Sequence, residues 1–269
     1  VDPPEQYRLE TASGRLPQNL PDRAKVFFMP TAEASLLDDS EAKSIAGSYE
    51  FLFEPEELDT RTYRWRRSQP LNATLEMDIR EKTFTLETDY LSRTELLLQN
   101  QVPDSQRAAS TVKSFLGRTD LIGPDIATVS GNVTFLKSLG GEAAPAVSLS
   151  DADFIQVDLQ RAPVDSQYSF YTPDGDTGII TAVVFGALNG PNNIVALENN
   201  YRRIDYSTVE TYPLRPVRQA WDALQAGEGY VAQAPSEGDT AVVRNVTLGY
   251  FDSYDVQRYM RPIYVFTGD

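Results

Sequence analysis

Leu75-Glu-Met-Asp-Ile-Arg-Glu-Lys-Thr-Phe-Thr-Leu86 decides the fold class. Leu75, Met77 and Ile79 alternate with charged residues, Glu81-Lys82 turns the chain, and Phe84 and Leu86 alternate back. A period of two places successive side chains on opposite faces of a strand, so the stretch reads as an antiparallel hairpin with one apolar and one wet face. The same reading applies from Lys25 to Met29, Val129 to Leu139, Phe154 to Leu159, Gly178 to Leu188, Ile194 to Ile204, Ala241 to Phe251 and Pro262 to Phe266. Gly, Pro, Asp and Asn clusters separate these runs, and the spacing in the second half predicts one large antiparallel sheet.

Three segments leave the period of two. Asp38-Asp-Ser-Glu41 has capping-box spacing and is followed by Ala42, Ile45 and Ala46, which predicts a helix to Gly47 with Asp38 as its cap. Ser105 to Leu116 presents Ala108, Val112 and Phe115 on one side and stops at Gly117. Pro216, tolerated in a first turn, opens a helix through Val217, Ala220, Trp221 and Leu224, with Gly227 just past its end. Trp221 and Leu224 are expected to face the sheet made by the last strands. The fold class is therefore α+β: antiparallel β-sheets with a few packed helices. Residues 1–23, with four prolines, read as an extended tether. Residues 24–100 are expected to form a small α+β subdomain and 101–269 a larger antiparallel-sheet subdomain ending in the helix and two closing strands.

Composition removes whole classes of function. The net charge of −15 repels nucleic-acid phosphates and anionic headgroups. With no histidine and no cysteine, the chain has no Ser-His-Asp triad, no imidazole base, no thiolate and no His- or Cys-ligated metal, and no cofactor is expected. The longest apolar run, Ile179 to Leu188, is too short to cross a bilayer as a helix and is rich in β-formers.

Two chemistries remain to an enzyme. Ser110-Thr-Val-Lys113 and Ser130-Gly-Asn132 resemble the Ser-x-x-Lys and Ser-x-Asn elements of penicillin-recognising enzymes, in which lysine deprotonates serine. However, Lys137-Ser-Leu-Gly140 is not the third element, and a second Ser-x-x-Lys occurs at Ser40 and Lys43. Asp38/Asp39, Asp151/Asp153 and Asp174/Asp176 are paired acids, but neighbours in sequence do not supply the opposed carboxyls of a glycosidase. Pro173-Asp-Gly-Asp-Thr-Gly178 reads as a turn and lacks the ligand spacing of a calcium loop.

The sharpest binding candidate follows a charge reversal. From Glu33 to Asp59 there are nine acids against Lys43 alone, and then Arg61, Tyr63, Arg64, Trp65, Arg66 and Arg67. On a strand, Arg61, Tyr63, Trp65 and Arg67 share one face and Arg64 and Arg66 the other. Arg61, Tyr63, Arg64, Trp65 and Arg67 are expected to form an arginine and aromatic strip that contacts a protein partner. The plainer reading is an edge strand whose charges block aggregation and neutralise the acidic run.

Arg218-Gln-Ala-Trp-Asp-Ala-Leu-Gln-Ala-Gly227, Val246-Thr-Leu-Gly-Tyr250 and Arg261-Pro-Ile-Tyr-Val-Phe266 together resemble the C-terminal part of the YycI/YycH-like bacterial proteins. There a helix ending in Gly precedes a strand with a Leu-Gly-Tyr element and a last strand opening with Pro and an aromatic. The resemblance implies a one-pass membrane anchor ahead of Val1 and an extracytoplasmic α+β domain. It also implies regulation of a cell-envelope sensor kinase through protein contacts, without catalysis. An opening of Val1-Asp-Pro-Pro-Glu, with no Met, fits a processed product. The function expected is that of a non-catalytic, membrane-anchored envelope binding or regulatory domain; the alternative is an envelope enzyme using Ser/Lys or paired carboxylates.

Overall fold

The computed structural model describes residues 3–98, 102–233 and 239–269. The strands are β1 (Gln6–Leu9), β2 (Arg23–Phe28), β3 (Glu56–Glu57), β4 (Thr62–Arg67), β5 (Ala73–Asp78), β6 (Phe84–Thr88), β7 (Asn132–Leu139), β8 (Glu142–Pro145), β9 (Phe154–Leu159), β10 (Phe170–Tyr171), β11 (Ile180–Val184), β12 (Ile194–Asn199), β13 (Asp205–Pro213), β14 (Thr240–Phe251) and β15 (Tyr259–Gly268). The α-helices are α1 (Asp38–Ser48), α2 (Thr94–Leu97), α3 (Ser105–Gly117), α4 (Pro124–Ala127) and α5 (Val217–Gln225). The α+β class stands.

The chain divides into two compact units that interleave in sequence. The first comprises Val1–Pro30, Ala162–Thr177 and Ile204–Asp269, the second Thr31–Arg161 and Gly178–Arg203. The blocks 24–100 and 101–269 are not the units, because the pairing of β2 with β13 and β15 draws the start of the chain to its end. The boundary expected after residue 100 lies outside the described residues. The single large sheet also becomes two.

In the first unit the strand order is β1-β14-β15-β2-β13, with β10 pairing β14. The proline-rich opening is not a tether over its described length. Gln6–Leu9 pairs in parallel with Thr240–Val243, and Tyr7 and Leu9 pack on a cluster of Trp221, Leu224, Val243 and Val246. Parallel pairing across most of the chain leaves no local turn signal to read. α5 closes as expected: Gly227, at φ +76°, donates to Leu224 O (3.0 Å) and Glu228 to Ala223 O (3.0 Å), a Schellman stop. Edge strand β13 is exposed almost throughout and shows no apolar alternation, which is why its sequence carries no strand pattern.

The second unit is built on a nine-stranded sheet of order β3-β4-β5-β6-β12-β11-β9-β7-β8, antiparallel throughout. The Leu75 to Leu86 hairpin forms as β5 and β6, with Leu75 opposite Leu86. α3 packs on β9 and β11, and Asp104 caps it by accepting from Arg107 N (2.8 Å). α1 begins at Asp38, but its cap differs from the expected one. Asp38 reaches backwards to accept from Ser35 N (2.9 Å), and Ser35 Oγ accepts from Leu37 N (3.1 Å), so the reciprocal capping starts three residues earlier. β11 ends at Val184, short of its apolar run, because the register against β12 shifts between Val183 and Val184 and the chain turns, with Leu188 N donating to Phe185 O (3.4 Å). Before the strand, Gly178 passes where a Cβ would lie 2.5 Å from Leu159 N.

Two consequences are measurable. Trp221 is buried, with its ring 5.7 Å from that of Phe266, so Trp221→Ala is expected to cost about 3–5 kcal/mol in denaturant unfolding; an unchanged midpoint contradicts this packing. Tyr49 stacks on Phe115 at 4.0 Å, its hydroxyl meets Thr119 Oγ1 at 3.0 Å, and burial pushes its phenol up to about 12. The fold therefore favours the neutral phenol, a contribution intact below the ordinary value of 10.0 and lost as pH rises through about 12. Denaturant midpoints should fall over that alkaline window, less steeply in Tyr49→Phe; identical slopes would contradict the assignment.

Candidate functional site

β4 carries the arginine and aromatic strip, and alternation divides it. Its inward face holds Tyr63 and Trp65, which are 8% and 2% exposed, with ring centroids 5.9 Å apart. Both are core residues and are not available to a partner, which corrects the expectation of an exposed aromatic strip. β3 covers only the start of β4, pairing Glu56 with Arg64 and Glu57 with Tyr63. Arg67 lies on the same inward side, its side chain 7% exposed, with Cζ 4.9 Å from the Phe51 centroid and Nη1 donating to Tyr49 O (3.3 Å). Burial draws this guanidinium below its ordinary pKa, while Glu50 pulls it back up. Arg67 is thus a packing residue whose Nη1 is engaged by Tyr49 O while its buried Nε has no hydrogen-bond partner among the described residues. Arg61 is half-buried and donates to Asp78 Oδ2 (2.6 Å).

Arg64 and Arg66 point the other way. Arg64 is held by Glu76 (2.8 Å) with Glu56 at 3.7 Å, whereas Arg66 has only Glu56 at 3.4 Å and leaves 64% of its side chain in solvent. The charges of the strip do neutralise part of the preceding acidic run, through Glu50 and Glu56. Each such exposed pair is worth only about 0–1 kcal/mol.

The face that carries Arg64 is polar across the sheet. Strand registers align Glu56, Arg64, Glu76, Thr85, Glu198, Thr181, Asp158 and Asn132 as one transverse row. Within it Thr181 Oγ1 donates to Asp158 Oδ1 (2.8 Å). Tyr90, Leu96 and Leu97 cover one end of this face by packing with Phe154 and Val183. At the other end an open groove of about 620 Å³ remains. Thr74 and Glu87, paired across β5 and β6, lie in it beside Arg66, Ser68, Asp89 and Phe53, the last 78% exposed. A cation and an aromatic ring beside a carboxylate-bearing floor suit hydrogen-bonded and cation–π contacts to a polypeptide. Arg66 is not among the expected contact residues; it reaches solvent because it lies on the face of β4 opposite Tyr63 and Trp65. Phe53 follows α1 in a loop with no pattern to mark it.

Among the described residues the enzyme candidates are engaged in structural contacts. Lys113, one turn from the exposed Ser110, donates to Val129 O and sits 3.4 Å from Ala127 O, tying α3 to the segment after α4. Asp151 binds Lys137 Nζ (2.9 Å) and Asp153 accepts from Ser138 N (2.9 Å). Asp174 accepts from Tyr254 Oη (2.9 Å). Among the described residues no group of three or more acidic side chains is placed to hold a metal.

One buried ionic group has the chemistry of a catalytic centre and the geometry of a tie. Arg161, fully buried, donates to Asp125 Oδ2 (2.7 Å) and Arg202 O (2.6 Å); Tyr201 Oη donates to Asp125 Oδ1 (2.8 Å), and Arg161 Cζ stacks 4.5 Å from the Tyr201 ring. Burial first, and then Asp125, raise the Tyr201 phenol far above its ordinary value. Gly123 makes room, since a Cβ there would lie 2.2 Å from Tyr201 Oη. The group joins α4, the end of β9 and the segment after β12. Comparison with known proteins finds no matching family model and no matching curated sequence. Arg161→Met is expected to cost about 3–5 kcal/mol, by leaving the Asp125 charge buried and unpaired, and Arg161→Met with Asp125→Leu to recover much of it. Equal losses in the single and double variants, read from denaturant midpoints, would mean that the pair is not coupled.

Proposed function

We propose that the protein is a non-catalytic binding or regulatory domain that works through protein–protein contacts, with the groove beside Arg66 as the contact surface. The observation that carries this reading is that a solvent-facing guanidinium and a solvent-facing phenyl ring, Arg66 and Phe53, line the same open groove. Aromatic and arginine side chains are the types that dominate interface energetics when they cluster. The cellular setting proposed is the bacterial envelope, outside the cytoplasm, on a membrane anchor ahead of this chain. It rests on the C-terminal resemblance, as does a sensor kinase as the first partner to test.

The test is capture of partners from a detergent-solubilised bacterial envelope by the immobilised domain, repeated with Arg66→Glu and Phe53→Ala. Both side chains are exposed, so each substitution is expected to change stability by only about 0.5 kcal/mol. The expected outcome is one specifically recovered protein, reduced about tenfold or more by either variant. Undiminished recovery by both variants would remove the groove from the account, and recovery of no specific protein would overturn the binding reading.

A further inference from the structure

The first unit contains a second recess, and its charge is the reverse of the chain's. Segment 14–22 and the start of α5 enclose a cleft of about 730 Å³ that reaches down to Leu16 and Trp221. Three arginines line it, Arg15, Arg215 and Arg218, against one acid, Asp22, in a chain of 39 acids and 24 bases. Arg218 is engaged by Asp222 (3.1 Å) one turn along α5. Arg15 and Arg215 are exposed and make no salt bridge to any described residue. Exposed arginines without a salt bridge to a described residue also occur at Arg107, Arg118, Arg258 and Arg261; what distinguishes Arg15 and Arg215 is that they line the same recess and give it a local positive charge on an acidic chain.

The walls are also stiff. Pro17, Pro21 and Pro216 fix the backbone around the opening, Leu214 N donates to Asp22 O (2.8 Å), and Tyr264 Oη donates to Arg215 O (2.8 Å). Such a recess is preformed, so a ligand does not have to order it. Its volume lies in the range of sites that engulf a ligand of many atoms, and a lone carboxylate or phosphate would leave most of it empty. Nucleic acid is disfavoured by the net charge of −15.

We propose that this cleft binds an extended acidic peptide segment of a partner protein, with one apolar side chain seated against the half-buried Leu16 and Val217 and flanking carboxylates paired to Arg15 and Arg215. This site is independent of the Arg66 groove. Apolar burial supplies affinity, and the arginines select acidic over basic sequences.

The test uses the full chain and a fluorescein-labelled hexapeptide of alternating glutamate and leucine, followed by fluorescence polarisation. Matched lysine–leucine and all-glutamate hexapeptides serve as comparisons. Saturable binding of the glutamate–leucine peptide is expected, weakened about tenfold or more by Arg15→Glu with Arg215→Glu, by loss of the leucines, and by high salt. Arg66→Glu should leave it unchanged, so a failure here is separate from a failure of the groove. No saturable binding of the glutamate–leucine peptide, equal binding of the lysine peptide, or equal binding by the double arginine variant would overturn the proposal. Loss of binding on Arg66→Glu would place the peptide elsewhere and overturn it as well.

Discussion

Side-chain alternation along each strand is the constraint on which the second unit depends. Leu75, Leu86, Leu197, Ala182 and Val157 stand opposite one another on successive strands, none more than 3% exposed, and form the inner surface that meets the helices. Because the period is two, the row beside them must face outward, and that row is Arg64, Glu76, Thr85, Glu198, Thr181 and Asp158. A slip of one residue would exchange the two rows, burying charge and exposing leucine, so the register is strongly specified. Arg66 reaches solvent because Trp65 does not.

Electrostatics then decides what stays available. Most arginines of this acidic chain are paired close by, as with Arg61 and Asp78, Arg64 and Glu76, and Arg244 with Glu10 and Asp269. The deepest pair, Arg161 and Asp125, is answered on every side by hydrogen bonds and a stacked Tyr201, as a buried charge requires. Others make no salt bridge to a described residue, among them Arg23, Arg107, Arg118, Arg258 and Arg261 on the surface. Within that set Arg15 and Arg215 share one recess of the first unit, and Arg66, weakly paired, lines the groove of the second.

Much of the fold was legible. The Leu75 to Leu86 hairpin, the α3 and α5 helices, the glycine stop of α5 and strand β9 are local features written in period and end signals, whereas α3 runs through Gly117 and is closed by Asp120 at φ +55°. What was not legible is non-local. No spacing marks that Gln6–Leu9 will run parallel to Thr240–Val243, and the exposed β13 has no apolar stripe. The interleaved units follow from those pairings. At the candidate site, the parity of the strip was readable, but not which parity would be buried. That choice depends on the neighbours of β4: Trp65 opposite Leu75, and Tyr63 opposite Met77, a methionine with no exposure. An aromatic residue flanked by arginines on one strand joins the core whenever its cross-strand partner does.

The inward direction of Tyr63 and Trp65 is the claim from which the site follows, and the chain offers a direct probe of it. It has two tryptophans, so Trp221→Phe leaves Trp65 as the single indole emitter. Acrylamide quenching of that variant in its native state should be slight, with blue-shifted emission, and should rise to the free-indole level only on unfolding. Efficient quenching of the folded protein would show that Trp65 faces solvent, and would return the arginine and aromatic strip to the surface in place of the groove beside Arg66.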